Sequence, residues 1–213
     1  MLFINLLCYC VPYLANRNIV GHANHVEAVK TKKQREQIEA HLMEAGQIYF
    51  DFWKTGVNLS LHIGDLLSLT MADVKKLDAA EPMLQLVEEK TGKQRQIRVN
   101  RSALTVMQRR LKENPKHRYL FQSESVKLHR RPAQALNRRS VARVFEKVGQ
   151  KIAPRVQLGT HSMRKTRGYA MHKAGRSIEE ICKVLNQSSP AVTMRYIGID
   201  QRDIDQSYVE FEL

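Results

Sequence analysis

A histidine and an arginine stand three positions apart in the run THSMRKT, at His161 and Arg164. On a helix this spacing places both side chains on one face. The guanidinium of arginine is a planar fork of donors that fits phosphate oxygens, and histidine can hydrogen-bond or carry a proton near neutral pH. The pair therefore suits chemistry on a phosphate group, although an isolated H-x-x-R pattern is more often part of a solvated helix face.

A tyrosine follows this pair on its C-terminal side, at Tyr196 in the run TMRYIG. A free phenol has a pKa of about 10, so neighbouring groups must help it to become a nucleophile at neutral pH. Charge that develops on an attacked phosphate needs fixed donors, which arginine and histidine can supply. The residue types therefore fit attack of Tyr196 on a phosphate. The alternative is that Tyr196 is a half-buried aromatic residue of a loop.

Further motifs occur in order around these residues, and together they resemble the tyrosine recombinases of the phage-integrase type. The matching C-terminal segments are residues 160–166, 168–169, 185–190 and 193–198. Upstream, the segment Leu61–Leu69 is similar to the family's first arginine motif, Lys90–Lys93 to its lysine-bearing hairpin, and Tyr119–Phe121 to the segment ahead of the second arginine. The resemblance covers Lys33 to the C-terminus.

The resemblance implies a role for each matching residue. Tyr196 takes the position of the nucleophile, Arg164 that of the second arginine, and His161 that of the histidine. Lys90 fits the hairpin lysine, which would protonate the leaving oxygen. Lys93 is close enough to be confused with it, and a lysine in an exposed hairpin is often merely solvated.

The chemistry that the family implies is DNA strand cleavage and rejoining. The tyrosine attacks a scissile phosphate, giving a 3′-phosphotyrosine link and a free 5′-hydroxyl, and a hydroxyl of the partner strand then reverses the attack. Because the bond energy is kept in the covalent link, the resemblance implies no cofactor, neither ATP nor a metal. The expected function is site-specific recombination, the integration or excision of a mobile genetic element.

Three positions depart from the family's pattern. His62 stands where the family has its first arginine, and a histidine has a shorter reach and only a fractional charge near pH 7. Gln187 replaces a second histidine or a tryptophan; it can donate a hydrogen bond but cannot carry a proton. We expect His62 to reach the same phosphate and to substitute weakly, which reduces activity. Arg167 replaces an aromatic residue, and we expect it to face DNA.

The fold class expected from the resemblance and from the hydrophobic pattern is mainly α with a small antiparallel β-sheet (α+β), in the order helices, sheet, helices. A long helix is predicted over residues 30–53 and a short one over 63–69. Strands are predicted over 83–87 and 94–99, followed by a helix through Leu104, Met107 and Leu111. The remaining helices are predicted to begin at the N-cap Ser140, near Thr160 and at a capping box that opens at Ser177.

Charge is the strongest compositional feature. The 213 residues carry a formal net charge of +14, which favours a polyanionic partner over a merely soluble basic surface. The hydrophobic content of 43% is enough for a core, and three cysteines do not form a disulfide framework. We therefore expect a protein of the cytoplasm, associated with the nucleoid and without a membrane partner.

Basic residues fall into three groups along the chain. They are Lys30, Lys32, Lys33 and Arg35; Arg109, Arg110 and Lys112; and Arg130, Arg131, Arg138 and Arg139. Such groups suit contacts to the DNA backbone, although any one of them is more often a solvated face. The residues predicted to bind double-stranded DNA are Lys93, Arg130, Arg131, Arg138, Arg139, Lys165 and Arg167.

The domain organisation predicted from the sequence has two parts. Residues 1–32 are expected to be an N-terminal arm or the remnant of a linker, and residues 33–213 a catalytic domain. Integrases of this kind carry a separate core-binding domain, for which the chain before Lys33 is too short, so we expect a fragment or a stand-alone catalytic domain. The tail of about residues 200–213 is expected either to dock on a neighbouring protomer, in a tetramer on DNA, or to fold back.

Two other functions compete with recombination. His62 and Gln187 favour a catalytically inactive DNA-binding accessory or regulatory protein that retains the fold. The enzyme is favoured because drift would also erode the other site residues, yet all are present: Tyr196, Arg164, His161 and Lys90. A type IB topoisomerase shares the chemistry but fits the spacing of the motifs less well.

Overall fold

A computed structural model of the chain describes residues 26–78, 80–124, 132–199, 205 and 208–210. Its helices are α1 (Lys32–Ala45), α2 (Gln47–Leu59), α3 (Ile63–Ser68), α4 (Met71–Lys75), α5 (Arg101–Glu113), α6 (Arg138–Lys151), α7 (Ser162–Lys173), α8 (Ile178–Val184) and α9 (Pro190–Ile197). Strands β1 (Met83–Val87) and β2 (Gln94–Arg98) form an antiparallel hairpin with Val87 opposite Gln94. The predicted fold class and the order helices, sheet, helices are confirmed.

The long helix predicted over residues 30–53 is wrong, because the chain breaks at Gly46. This residue has φ 137° and ψ 137°, a conformation that side-chain-bearing residues rarely adopt. Its backbone amide closes α1 on the carbonyls of Leu42 and Met43. The turn lets α1 and α2 pack against each other, so that Leu42 of α1 and Trp53 of α2 enter the same core.

Helix starts follow side-chain capping. Helix α6 begins at Arg138 and not after the predicted N-cap Ser140, because the side chain of Asn137 accepts a hydrogen bond from the amide of Arg139. Ser177 is the N-cap of α8, as predicted, and accepts a hydrogen bond from the amide of Glu180. Helix α4 was not predicted, since it has only one turn to carry a hydrophobic pattern.

Two buried clusters hold the elements that build the site. The larger one surrounds Phe52, Trp53 and Phe145, whose rings meet edge to face, and it includes Met163 of α7. The smaller one joins α7, α8 and α9 through Tyr169, Ile181, Leu185 and Ile197, together with Ala28 of the segment before α1. Helix α7 therefore lies between the two clusters and is fixed by both.

One of the predicted basic groups is only partly at the surface. Arg110 is 3% exposed, its Nη1 lies 3.1 Å from the Oδ2 of buried Asp51, and its Nε donates to the carbonyl of Leu120 at 2.7 Å. Arg109 binds the other carboxylate oxygen of Asp51. The expectation that Arg110 belongs to a phosphate-contacting surface is therefore wrong; it joins α5 to α2.

Helices long and apolar enough to cross a bilayer do not occur in the described ranges of the chain.

Candidate active site

Tyr196 and the H-x-x-R pair come together although they lie on different helices. His161 is the residue that precedes α7, and Tyr196 lies in the last turn of α9 rather than in a loop. The Nδ1 atom of His161 is 3.3 Å from the phenolic oxygen of Tyr196, and the two rings meet nearly at right angles. A histidine is therefore within hydrogen-bonding reach of the atom that would act as the nucleophile.

Arg164 is the buried arginine of this site. It is 2% exposed; its Nη1 donates to the carbonyl of Ser60 and its Nη2 to the carbonyl of Leu185. Ser60 has a positive φ of 54° at the end of α2, which sets the direction of that carbonyl. The Nε of Arg164 is buried and has no hydrogen-bond partner among the described residues.

Burial is the largest influence on the charges of Arg164 and Tyr196. It lowers the pKa of the Arg164 guanidinium, while the neighbouring Tyr196 opposes this change. Burial also raises the pKa of the Tyr196 phenol, and the positive charge of Arg164 opposes that shift. The phenol is therefore protonated at neutral pH, and its attack on a phosphate requires removal of its proton.

His62 lies beside this arrangement, at the start of α3. The centroid of its ring is 6.2 Å from that of His161. Burial, and next the charge of Arg164, lower the pKa of His62 to about 4. The imidazole is therefore neutral at pH 7, where an arginine in the same position would be charged.

His161 is shifted in the same direction. Burial lowers the pKa of its ring, and the charges of Arg164, Arg138, Lys165 and Lys90 lower it further. A neutral imidazole has one nitrogen that can accept a proton, so His161 is suited to take the phenolic proton of Tyr196.

Lys90 and Lys93 are both exposed on the turn between β1 and β2. Lys90 is near enough for its charge to affect His161, as noted above. The turn is fixed by Glu88, a buried carboxylate that sequence reasoning missed. It accepts hydrogen bonds from the hydroxyl of Thr91 at 2.9 Å, from Nη1 of Arg95 at 3.0 Å and from Nδ2 of Asn186 at 2.7 Å.

Asp65 is the second buried acid that sequence reasoning missed. It is 3% exposed, and its Oδ1 accepts a hydrogen bond from the amide of Glu89 at 2.8 Å. The signal that could have found it is its position three residues after His62, in the segment Leu61–Leu69. Asp65 links the start of α3 to the residue before Lys90.

Gln187 lies in the turn between α8 and α9. Its Oε1 atom is buried and has no hydrogen-bond partner in the described part of the chain, while its backbone carbonyl accepts from the thiol of Cys182. The preceding Asn186 has a positive φ of 46° and binds Glu88. Because the carbonyl of Leu185 binds Arg164, the same turn contacts both the buried arginine and the lysine hairpin.

The residues predicted to bind DNA differ in their placement. Arg138 and Arg139 are exposed at the start of α6, and the charge of Arg138 reaches His161. Lys165 is only 6% exposed, and its Nζ lies 5.2 Å from the centroid of the Tyr196 ring. Arg167 is half-buried. Arg130 and Arg131 lie outside the described residues.

Comparisons with known proteins match this description. The model of the phage integrase family matches residues 54–202. The probable integrase/recombinase YoeC of Bacillus subtilis (strain 168) is 28% identical over 186 residues, which cover 87% of this chain and 97% of that protein.

Among solved structures, XerA recombinase has a TM-score of 0.66 at 17% identity, over 87% of this chain and 65% of that one. The integrase of the transposon Tn1549, solved in complex with circular intermediate DNA, has a TM-score of 0.60 at 18% identity, over 85% and 64% of the two chains. The present chain thus spans less than two thirds of both solved chains, and at these identities the likeness concerns the fold.

The match to the family model includes every element that builds the site, from the end of α2 through α9. The chain belongs to the phage integrase family, the family of tyrosine site-specific recombinases.

Proposed function

We propose that the protein is a site-specific DNA recombinase that cuts and rejoins DNA through a 3′-phosphotyrosine link on Tyr196. The observation that carries the proposal is the 3.3 Å separation between His161 Nδ1 and the phenolic oxygen, beside the buried Arg164, whose charge acts on both groups. A nucleophile, a neutral proton acceptor and a fixed cation are the three groups that attack on a phosphate needs.

The residues have distinct roles in the proposed cleavage step. The phenolic oxygen of Tyr196 forms a bond to phosphorus while its proton passes to His161. The bond from phosphorus to the 5′-oxygen breaks, and Lys90 gives a proton to this leaving oxygen. Arg164 stabilises the charge on the non-bridging oxygens as a fixed cation. Rejoining is the same sequence in reverse, so no further reactant is required.

His62 and Gln187 make this cleavage slow in our proposal. A neutral His62 cannot replace the charge of an arginine on the phosphate, and loss of one such donor costs about 10²–10³ in rate. The same observation favours the second candidate function, a DNA-binding accessory or regulatory protein without turnover. The two functions predict different outcomes when an arginine is introduced at position 62.

The proposed partner is double-stranded DNA, in keeping with the net charge of +14 and with the DNA-bound Tn1549 integrase. Contacts to the backbone are assigned to Arg138 and Arg139, with Lys93, Arg130, Arg131 and Arg167 as further contacts; Lys165, predicted as another, is buried beside Tyr196. Assembly into a tetramer on DNA would use the tail, in which Tyr208 and Val209 are 78% and 76% exposed.

In this proposal residues 33–213 are the catalytic domain and residues 1–32 are an N-terminal arm. The protein acts in the cytoplasm, in association with the nucleoid.

Covalent trapping tests the proposal. The substrate is a pool of nicked duplexes with a randomised core, in which cleavage beside the nick releases a short fragment and leaves the protein attached. We expect an adduct with the wild type and a faster-forming one with His62→Arg, whereas Tyr196→Phe forms none and still binds the pool. If neither the wild type nor His62→Arg forms a Tyr196-dependent adduct, the accessory function replaces the enzymatic one.

A further inference from the structure

We propose that Lys30 is a positioning residue for Tyr196, and that the segment Val26–Lys30, here called the strap, sets the position of the nucleophile helix α9. The inference rests on the proposed role of Tyr196 as nucleophile. The strap precedes α1, and Lys30 lies 166 residues before the tyrosine.

The strap is fixed on one side to α7 and to the segment that leads into it. The buried amide of Val29 donates to the hydroxyl of Thr166 at 2.9 Å. Glu27 and Gln157 exchange two hydrogen bonds, one between backbone atoms and one from the amide of Gln157 to the Glu27 carboxylate at 2.8 Å. Val26 packs on Gly159, where an added Cβ would come within 2.4 Å of it. The strap therefore has a defined place beside the helix that carries Arg164.

On its other side the strap contacts α9. Ala28 is 8% exposed and belongs to the small cluster that contains Ile197, and Tyr196 packs against that cluster. The Nζ of Lys30 donates to the carbonyl of Gly198 at 3.0 Å and lies 5.0 Å from the centroid of the Tyr169 ring. Gly198 is the C-cap of α9 and follows Tyr196 by two residues. One lysine thus joins the strap to the end of the helix that carries the nucleophile.

This contact lies where α9 is weakest. The helix has eight residues, too few to be stable without packing. The C-terminal end of a helix carries a partial negative charge, and the ammonium of Lys30 lies beside it because it binds the carbonyl of the C-cap Gly198. Because Tyr196 lies in this last turn, fraying of the turn displaces the phenol from His161. The ammonium of Lys30 opposes that fraying.

Lys30 belongs to the first basic group of the chain, so a direct contact to DNA is the competing explanation. The two explanations differ in what Lys30→Met changes. A lost phosphate contact weakens binding to DNA and leaves α9 as it was. A lost cap loosens α9 even without DNA. Lys32→Met is the matched control, because it removes the same charge from a side chain that is 82% exposed and pairs with Glu36 of its own helix.

The test uses the full chain and three variants, Lys30→Met, Lys30→Arg and Lys32→Met. Hydrogen exchange of the α9 amides is measured without DNA, the dissociation constant is measured on a mixed-sequence duplex, and the rate of adduct formation is measured on the nicked pool. We expect Lys30→Met to speed exchange of the last-turn amides and to slow adduct formation, each roughly five- to tenfold, the effect of one lost hydrogen bond. Its dissociation constant should equal that of Lys32→Met, and Lys30→Arg should restore slow exchange.

Two results would overturn the inference: α9 exchange at the wild-type rate in Lys30→Met, or an adduct rate that falls only as far as in Lys32→Met. Absence of any adduct with the wild type and with His62→Arg would instead defeat the proposed nucleophile. The exchange data would still decide whether Lys30 holds α9, so the two failures are distinguishable.

Discussion

The carboxylate of Asp65 accepts a hydrogen bond from the backbone amide of Glu89 at 2.8 Å, and this bond connects the start of α3 to the hairpin that carries Lys90. Asp65 follows His62 by one turn of helix, and Glu89 immediately precedes Lys90. A single buried side chain therefore connects the segment that carries His62 to the hairpin that carries the proposed proton donor, Lys90.

Asp65→Ala should slow adduct formation on the nicked pool about tenfold, whereas Asp65→Asn, which retains the acceptor oxygen, should stay within about threefold of wild type. The reason is that the hairpin loses a fixed point while Lys90 itself is unchanged. Asp73→Ala is the control: this carboxylate also accepts from a backbone amide, that of Thr70 in the capping box of α4, so its loss should lower stability without slowing the reaction as much. Equal slowing by Asp65→Ala and Asp73→Ala would reduce Asp65 to a general contributor to stability.

The neutral state of His62 predicts how stability depends on pH. Its folded-state pKa of about 4 lies below the value of about 6.5 for an exposed histidine, so between these values the unfolded chain binds more protons. The contribution of the neutral His62 ring to the free energy of unfolding is therefore fully present above about pH 6.5 and is lost as the pH falls toward 4. Burial shifts the pKa of His161 in the same direction.

Urea unfolding should therefore give a free energy of unfolding that falls between pH 7.5 and pH 5, by at most roughly 2 kcal/mol from the half-buried His62. His62→Gln, which has no proton to gain, should lose that part of the pH dependence and retain the part due to His161. A variant whose pH dependence equals that of the wild type would show that the pKa of His62 is the same in the folded and the unfolded chain.

The leaving oxygen distinguishes Lys90 from Lys93. Lys90→Ala should slow cleavage about 10²–10⁴-fold, the usual contribution of a general acid, and Lys93→Ala only a few-fold. A substrate whose leaving 5′-oxygen is replaced by sulfur needs no proton, because a thiolate is a stable leaving group. This substrate should restore the rate of Lys90→Ala to near that of the wild type, measured as adduct formation. Rescue of Lys93→Ala instead would exchange the roles of the two lysines.

The sequence predicted what depends on local pattern or on the family's signature. Hydrophobic periodicity and capping residues predicted most helices and the β1–β2 hairpin. The order of the motifs predicted the family, and the structure brings His161 within reach of Tyr196. The break at Gly46 was missed because a single glycine is tolerated inside a helical pattern, and only its φ of 137° shows that the chain turns there.

Long-range partners could not be predicted. Glu88 and Asn186 are 98 residues apart, and each is an ordinary polar residue in its own segment. Lys165 follows Arg164 in a basic run, which is typical of an exposed surface, yet it is buried beneath the ring of Tyr196. Whether a charged residue is buried depends on the partner that the fold brings to it, and the local sequence pattern does not predict that partner.

Arg110 and Asp51 allow the contribution of a buried ion pair to stability to be measured. The guanidinium of Arg110 and the carboxylate of Asp51 are 3% and 0% exposed, so removal of Asp51 leaves the buried guanidinium of Arg110 without its carboxylate. Asp51→Ala should lower the free energy of unfolding by about 3–5 kcal/mol, measured by urea denaturation at pH 7. Glu113→Ala breaks the surface pair with Arg109 and should cost at most about 1 kcal/mol. Replacement of both Asp51 and Arg110 by leucine should recover much of the loss, because no unpaired charge remains in the interior. A double variant as unstable as Asp51→Ala would mean that the hydrogen bond from Arg110 to the carbonyl of Leu120, and not the ion pair, joins α5 to the core.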